Sequence, residues 1–411
     1  MVRAILVAMS MAAPTRALVR DLVFGAVYVA QGTVYGFVSF ILIPTLSDRG
    51  VSLEAQAGIL ALAGAPWLLK LAWAPLVDGR RGRRAGARVF VTSGLMGVAA
   101  GLMVLGTAGP LDLGVGGIAL LWMLINVGLA LCDVAVDALA LDSVTPGERG
   151  RTQGFMLGGH HVGLEGIGGM GLGAVVMAAD LSVALFVQAG LAVLVAACVW
   201  LVRFPARERP PSERPAFVRL VLDLVRRPGA RLGLVVAALV LFADVLTSAV
   251  SGHFWVDRLG WTPTRVAARL PPILLAANLV GYGVAGKLVD HIGHCRAAAA
   301  GSALLGAAWV IFAILEPLWG VEAFLLTFVA VQAVVTAVMF VGLHAHFMAL
   351  VDPRARATHF VVFTVLLNLP RVLAPSVGAW TVAAWGFAGV FAACGFYQLT
   401  MAALVARSRV D

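Results

Sequence analysis

Asp133 and Asp137 stand four residues apart in a run, 127–141, that is otherwise wholly apolar. On a helix that spacing puts both carboxylates on one face. In a medium of low dielectric two neighbouring carboxylates cannot both ionise cheaply, so the pair is suited to hold a proton or a substrate. The alternative is a structural ion pair with Lys70 or with a loop arginine. Further along, His161 and Glu165 share a helical face within the glycine-rich stretch Gly158–Gly169, where small residues let a neighbouring backbone come close. A glutamate in an apolar run is expensive and is a functional candidate by default, and an imidazole can share a proton with it. A hydrogen-bonded pair that merely accompanies glycine packing is the bland alternative.

Two basic residues also lie inside apolar stretches. Lys70 sits about two turns before the end of one at Asp78, and Arg371 is flanked by Asn368, Pro370 and Pro375. A guanidinium at that depth suits a carboxylate or phosphate on a substrate, unless it pairs with Asp244 or Glu165. Asp244, with Thr247, Ser248 and Ser251 nearby, reads as lining a cavity, against packing through small residues. Gln31, Tyr35 and Asn126 are uncharged groups able to meet hydroxyls or amides, though polar residues also glue helices together. His344 and His346, with His160 and His161, raise the question of a metal or haem. Neither pair has the i, i+4 spacing of a helical clamp, and no acidic or cysteine partner accompanies them, so neither metal nor cofactor is expected. The scattered Cys132, Cys198, Cys295 and Cys394 read as packing residues rather than a disulfide framework.

The elements that must position these groups are membrane helices. Apolar residues make up 61% of the chain and charged residues 12%, far from the mix of a soluble domain. Apolar stretches of spanning length recur from residue 22 to residue 406, so the expected fold is all-α: twelve transmembrane helices in two pseudo-symmetric six-helix bundles. The expected layout is a cytoplasmic tail (1–20), a first bundle (21–203), a Pro- and Arg-rich cytoplasmic linker (204–230), a second bundle (231–406) and a short tail (407–411). The second span is placed at 53–77, the eleventh at 358–382 and the twelfth at 385–406. Residues 1–13 have the outline of a short signal peptide but read as part of an uncleaved tail.

The net charge of +9 does not point to nucleic acid, because no hydrophilic domain exists to carry it. The arginines instead fill the tails and the even-numbered loops. Only Arg49, Arg258, Arg265 and Arg269 fall in odd-numbered loops. That bias predicts both termini on the cytoplasmic side. The expected location is a bacterial inner membrane, the expected partners are the lipid bilayer, a small-molecule substrate and protons, and the expected oligomeric state is a monomer. No nucleophile dyad, soluble catalytic loop or Gly-x-x-x-x-Gly-Lys-Ser/Thr loop is present. An enzyme or an ATP-driven pump is therefore not expected, and the energy must come from a gradient.

The halves repeat. Leu76-Val77-Asp78-Gly79-Arg80-Arg81-Gly82-Arg83-Arg84 follows the second span, and Leu288-Val289-Asp290-His291-Ile292-Gly293-His294-Cys295-Arg296 follows the eighth. At a similar offset Pro146-Gly147-Glu148-Arg149-Gly150 matches Pro353-Arg354-Ala355-Arg356-Ala357. Duplicated six-helix units of this kind build parallel-repeat transporters.

The spacing Gly286-x-Leu288-x-Asp290-x-x-Gly293-x-x-Arg296 resembles the signature loop of the major facilitator superfamily, and the Asp78 loop is a version with one extra residue. The resemblance implies that these aspartates meet the start of a helix from the opposite half and set the balance between outward- and inward-open states. Asp78, Arg83, Arg84, Glu148, Arg149, Asp290, Arg296 and Arg356 are thus the expected gating residues. A narrower resemblance covers residues 24–155. Gly50-Val51-Ser52-Leu53-Glu54-Ala55, Pro66-Trp67-Leu68-Leu69-Lys70-x-x-Trp73-Ala74-Pro75, and Asp133-x-x-x-Asp137-Ala138-x-x-x-Asp142 through Glu148-Arg149-Gly150 are similar to the AmpG family. That family implies proton-driven import of muropeptides. The acetyl-CoA transporters and the siderophore permeases of the RhtX and FptX type are similar in the same stretches, implying an anionic cargo instead. In the second half, His344 stands at the counterpart of Asp137 and no substrate-defining motif appears.

Overall fold

The computed structural model describes residues 13–49, 51, 53–68, 70–78, 86–109, 111–202, 204, 217–261, 263–352 and 356–408. Among them there is helix and no strand. The chain divides into two compact units. One comprises Met1–Val144, Phe155–Phe217 and Pro353–Val361, the other Thr145–Gly154, Val218–Asp352 and Val362–Asp411. The short stretches 145–154 and 353–361 thus group with the sequence-distant half, and they are the two repeated loops picked out by their Pro and Arg residues.

In the first unit, α1 (Ala13–Phe37) runs through a π-helical segment, Val38–Leu42, into α2 (Ile43–Asp48). It is followed by α3 (Leu53–Leu68), α4 (Lys70–Asp78), α5 (Ala87–Thr107) and α6 (Gly114–Ser143). Next come α7 (Arg149–His161), a second π-helical segment Val162–Gly171, α8 (Leu172–Ala178) and α9 (Leu181–Leu201). The helix starts are set locally. Gly86 takes a left-handed φ of 76° just before α5, a conformation that favours glycine. Thr145 and Glu148 form a capping box before α7, and Asp180 caps α9 by accepting from the Val183 N–H at 2.8 Å. Phe37, Leu42, Ile59, Leu102, Trp122 and Leu185 are fully or almost fully buried in one apolar core, while Met177, Leu194 and Trp200 are exposed. Helices apolar on both faces belong in lipid.

The second unit holds α10 (Phe217–Arg226), α11 (Pro228–Leu239), α12 (Phe242–His253), a third π-helical segment Phe254–Arg258 and α13 (Pro263–Ile292). After them come α14 (His294–Ile314), α15 (Glu322–Leu350), the second half of α16 (Arg356–Leu367) and α17 (Leu369–Arg407). Its core is aromatic: Phe254 lies edge-on to Trp319 at 5.0 Å and Phe391 at 5.3 Å, and Phe312 stacks on Phe328 at 3.8 Å. Gly293, with φ 91°, precedes α14 as Gly86 precedes α5.

Among the described residues ten helical stretches are long and apolar enough to cross a membrane, and shorter apolar helices occupy Gly58–Ala74 and Thr358–Leu367. The shorter two coincide with the expected second and eleventh spans. Within its expected bounds the eleventh is interrupted. It breaks at Asn368, because Pro370 supplies no N–H for the preceding turn, and Asn368 Nδ2 instead donates to the Thr364 carbonyl at 2.9 Å. The eleventh and twelfth spans then meet at Gly386, whose φ of 65° interrupts α17.

Candidate functional site

The ionisable groups of the first unit cluster on α6. Asn126, Asp133 and Asp137 are separated by seven and four residues, so they form one stripe along that helix. All three are buried, as is Lys70 at the start of α4. Lys70 Nζ forms an ion pair with Asp133 Oδ2 and lies 4.9 Å from the centre of the Trp67 ring. One helical turn along α6, Asp137 Oδ1 accepts a 2.8 Å hydrogen bond from the Tyr28 hydroxyl of α1. The two carboxylates therefore have different partners: Asp133 has a cation, and Asp137 has a neutral donor. A carboxylate compensated by an ammonium keeps its charge more cheaply than one compensated by a phenol.

The cluster continues through aromatic rings. Trp67 Nε1 donates to Asn126 Oδ1 at 2.8 Å, and Asn126 Nδ2 donates to the Trp122 carbonyl at 2.9 Å, which locks the indole in place. The Trp67 ring lies 5.8 Å from Tyr35, Tyr35 lies 5.7 Å from His160, and His160 lies 5.8 Å from His161. His161 Nδ1 is 3.1 Å from Glu165 Oε1. An unbroken string of polar and aromatic side chains thus joins the Lys70–Asp133 pair to the His161–Glu165 pair. Gln31 is buried, and among the described residues Trp73 Nε1 has no hydrogen-bond partner.

Glu165 sits in the π-helical segment Val162–Gly171, a distortion that recurs at functional sites. The glycines around it let α1 come within backbone contact. A Cβ added to Gly168 would lie 2.6 Å from the Thr33 carbonyl oxygen. Added to Gly32 it would run into the carbonyl of His160, and added to Gly163 into that of Val29. This packing holds Tyr28 and Tyr35 of α1 against their partners.

Asp244 lies in the first turn of α12 in the second unit, where its carbonyl accepts from Thr247 Oγ1 at 2.9 Å. The Nδ1 of His344 donates to the carbonyl of Phe340 at 2.9 Å within α15. Asn368 forms the helix break described above. Arg371 lies in α17, but its side chain is outside the described residues, as are that of Asp78 and the whole of Arg83 and Arg84. His346 is paired at 3.1 Å with His294. Among the described residues no group of three or more His, Cys, Asp or Glu is arranged to hold a metal.

Two of the repeated loops have defined contacts. Asp290 accepts hydrogen bonds from the backbone N–H groups of Gly150 at 2.7 Å and Arg151 at 2.8 Å. A carboxylate is favoured at such a helix start by about 0.3–1 kcal/mol, and up to ~2 when partly buried. Arg356 donates to Asp142 Oδ1 at 2.8 Å and to the Leu141 carbonyl at 3.1 Å, at the C-terminal end of α6 where a cation is favoured. Glu148 is bound by Arg151 at 3.0 Å, and Arg296 is exposed.

Sequence reasoning did not single out Tyr28 or Trp67, and it weighed His160 only as a metal ligand. Tyr28 was within reach, since Tyr28, Gln31 and Tyr35 follow one helical face at i, i+3 and i+7. Trp67 carries no such signal, because its bond to Asn126 depends on how α3 packs against α6.

Residues 23–317 match the family model described as Major Facilitator Superfamily. The fold is similar to that of the E. coli fucose:proton symporter FucP, solved as a single-substitution variant, with 12% identity, a TM-score of 0.74, and 96% of this chain and 98% of that one covered. A FucP structure in the outward conformation gives 13% identity and a TM-score of 0.76, covering 96% and 99%. The human organic anion transporter MFSD10 (TETRAN) gives 17% identity and a TM-score of 0.70, covering 96% and 100%.

Proposed function

The chain belongs to the Major Facilitator Superfamily, which makes it a multi-pass membrane transporter rather than an enzyme, and on that premise we propose that it is a proton-coupled importer of a polar or anionic organic solute. The observation that carries this reading is the string of contacts from Lys70–Asp133 to His161–Glu165, with Asp137 buried beside it on a neutral hydroxyl. Ionisable groups at such depth are costly and are retained for ion or substrate pathways. In this reading Asp137 and Glu165 take up and release the proton, Lys70 pairs with Asp133, and Tyr35, Trp67 and Asn126 meet the cargo. Asp244 and Arg371 are further substrate candidates, in the second unit. By the resemblance of residues 24–155 to the AmpG family, the cargo is muropeptide-like. By the distribution of arginines both termini face the cytoplasm, and by the same resemblance to AmpG the membrane is a bacterial inner membrane.

The test is uptake of muropeptide by the purified protein in liposomes under an inward proton gradient. Accumulation is expected with the native chain and is expected to be lost in Asp137→Asn and in Glu165→Gln. Undiminished accumulation in both variants would remove the proton assignment. Accumulation of other organic anions but no muropeptide would remove the cargo assignment while leaving the coupling intact.

A further inference from the structure

Of the four basic residues in odd-numbered loops, Arg258 and Arg265 line one cleft of the second unit, and Arg269 pairs with an acid of its lining. Arg258 ends the third π-helical segment, Arg265 lies in the first turn of α13, and Arg269 follows one turn later. They face Glu316 and Glu322, from the connection between α14 and α15. Arg258 donates to Glu316 at 2.8 Å and Arg265 to Glu322 at 2.6 Å, and Arg269 Nε is 3.3 Å from Glu322. Each of the first two guanidiniums also covers an indole, Arg265 at 4.3 Å from the Trp261 ring and Arg258 at 5.9 Å from the Trp319 ring. The cleft has a volume of about 570 Å³, within the range of small-molecule sites.

Stability does not account for this arrangement. The three arginine side chains are 49%, 45% and 60% exposed, and ion pairs at such exposure contribute little. Basic residues in these loops also run against the charge bias that orients the rest of the chain. The indoles beneath them are, by contrast, buried and held. Trp319 Nε1 donates to the Phe312 carbonyl at 3.0 Å, and Trp261 packs on Trp255 at 4.8 Å. A rigid aromatic floor under exposed guanidinium forks matches a ligand with a flat apolar or sugar face and a carboxylate.

We propose that this cleft is a binding site for a soluble, carboxylate-bearing solute of sugar or short-peptide size, on the face away from the arginine-rich loops. The incoming carboxylate exchanges with those of Glu316 and Glu322 on Arg258 and Arg265, while its ring or apolar face stacks on the guanidinium planes that the buried indoles of Trp261 and Trp319 support. The site belongs to a different unit from the Lys70–Asp133 cluster, and its occupancy does not require transport.

The test is calorimetric titration of the full chain, in phosphatidylcholine nanodiscs, with glucuronate, and with glucose at matched ionic strength as control. Saturable binding of glucuronate alone is expected, weakened tenfold or more by Arg258→Gln with Arg265→Gln. Glu316→Gln with Glu322→Gln removes the competing carboxylates and is expected to tighten binding severalfold, which a purely structural clasp would not do. The proposal is overturned by absent or glucose-equal binding, by unchanged affinity in the arginine variant, or by weaker affinity in the glutamine-for-glutamate variant. Loss of glucuronate binding when phosphatidylglycerol is included in the nanodisc would assign the cleft to a lipid headgroup instead.

Discussion

Asp133 and Asp137 have the same side chain, helix and burial, yet one is held by Lys70 and the other by the hydroxyl of Tyr28. Removing one member of a buried ion pair strands the other, at a cost of about 3–5 kcal/mol, whereas replacing both with apolar residues is near neutral. Thermal unfolding in detergent should therefore show a large loss for Lys70→Met or Asp133→Leu alone, and recovery in the double variant. Single variants as stable as the native chain would mean that the two groups do not depend on each other. The charged half of this cluster was legible in the sequence, because an ionisable residue in an apolar run announces its cost. Its aromatic half was not. Tyrosine and tryptophan are ordinary in membrane spans, and their roles follow from helix pairing at separations such as that between Trp67 and Asn126, which leaves no local trace.

At the level of the element, the fifth span shows both what pattern reveals and what it hides. Its glycines foretold close backbone approach, and α1 does meet it through Gly25, Gly32 and Gly36 against Gly159, Gly163 and Gly168. The π-helical register of Val162–Gly171 has no sequence signature, since it concerns which carbonyl each N–H reaches. Overpacking of such a contact costs about 1–3 kcal/mol or more. Gly32→Ala, whose Cβ would strike the His160 carbonyl, should lower the melting temperature and impair uptake. Gly190→Ala on α9 meets nothing within 4 Å and should be neutral or slightly stabilising, since alanine is the better helix former. Equal tolerance of both substitutions would show that α1 and the fifth span are not tightly packed. In the eleventh span Pro370 and Pro375 were in view, but not the place where the helix would break. A proline in a membrane span can bend a helix without ending it, and the sequence does not say which occurs.

Over the whole molecule, the repeat was the most legible feature because it is written in loops rather than in apolar pattern. The Asp290 loop reaches the start of α7 through two backbone hydrogen bonds, and left-handed glycines at Gly86 and Gly293 precede the third and ninth spans. The exchange of residues 145–154 and 353–361 between units was not legible, since a repeated loop motif does not say with which half its residues pack. A chain so built, with no ATP-binding loop, draws on a gradient, and the account assigns the coupling to Asp137 and Glu165. Counterflow separates coupling from movement of cargo, because exchange of labelled for unlabelled solute needs no net proton transfer. The most direct measurement compares counterflow with gradient-driven accumulation of the same solute in proteoliposomes. In Asp137→Asn and Glu165→Gln, counterflow should persist while uphill accumulation disappears. Accumulation that survives alongside counterflow in both variants would contradict the account.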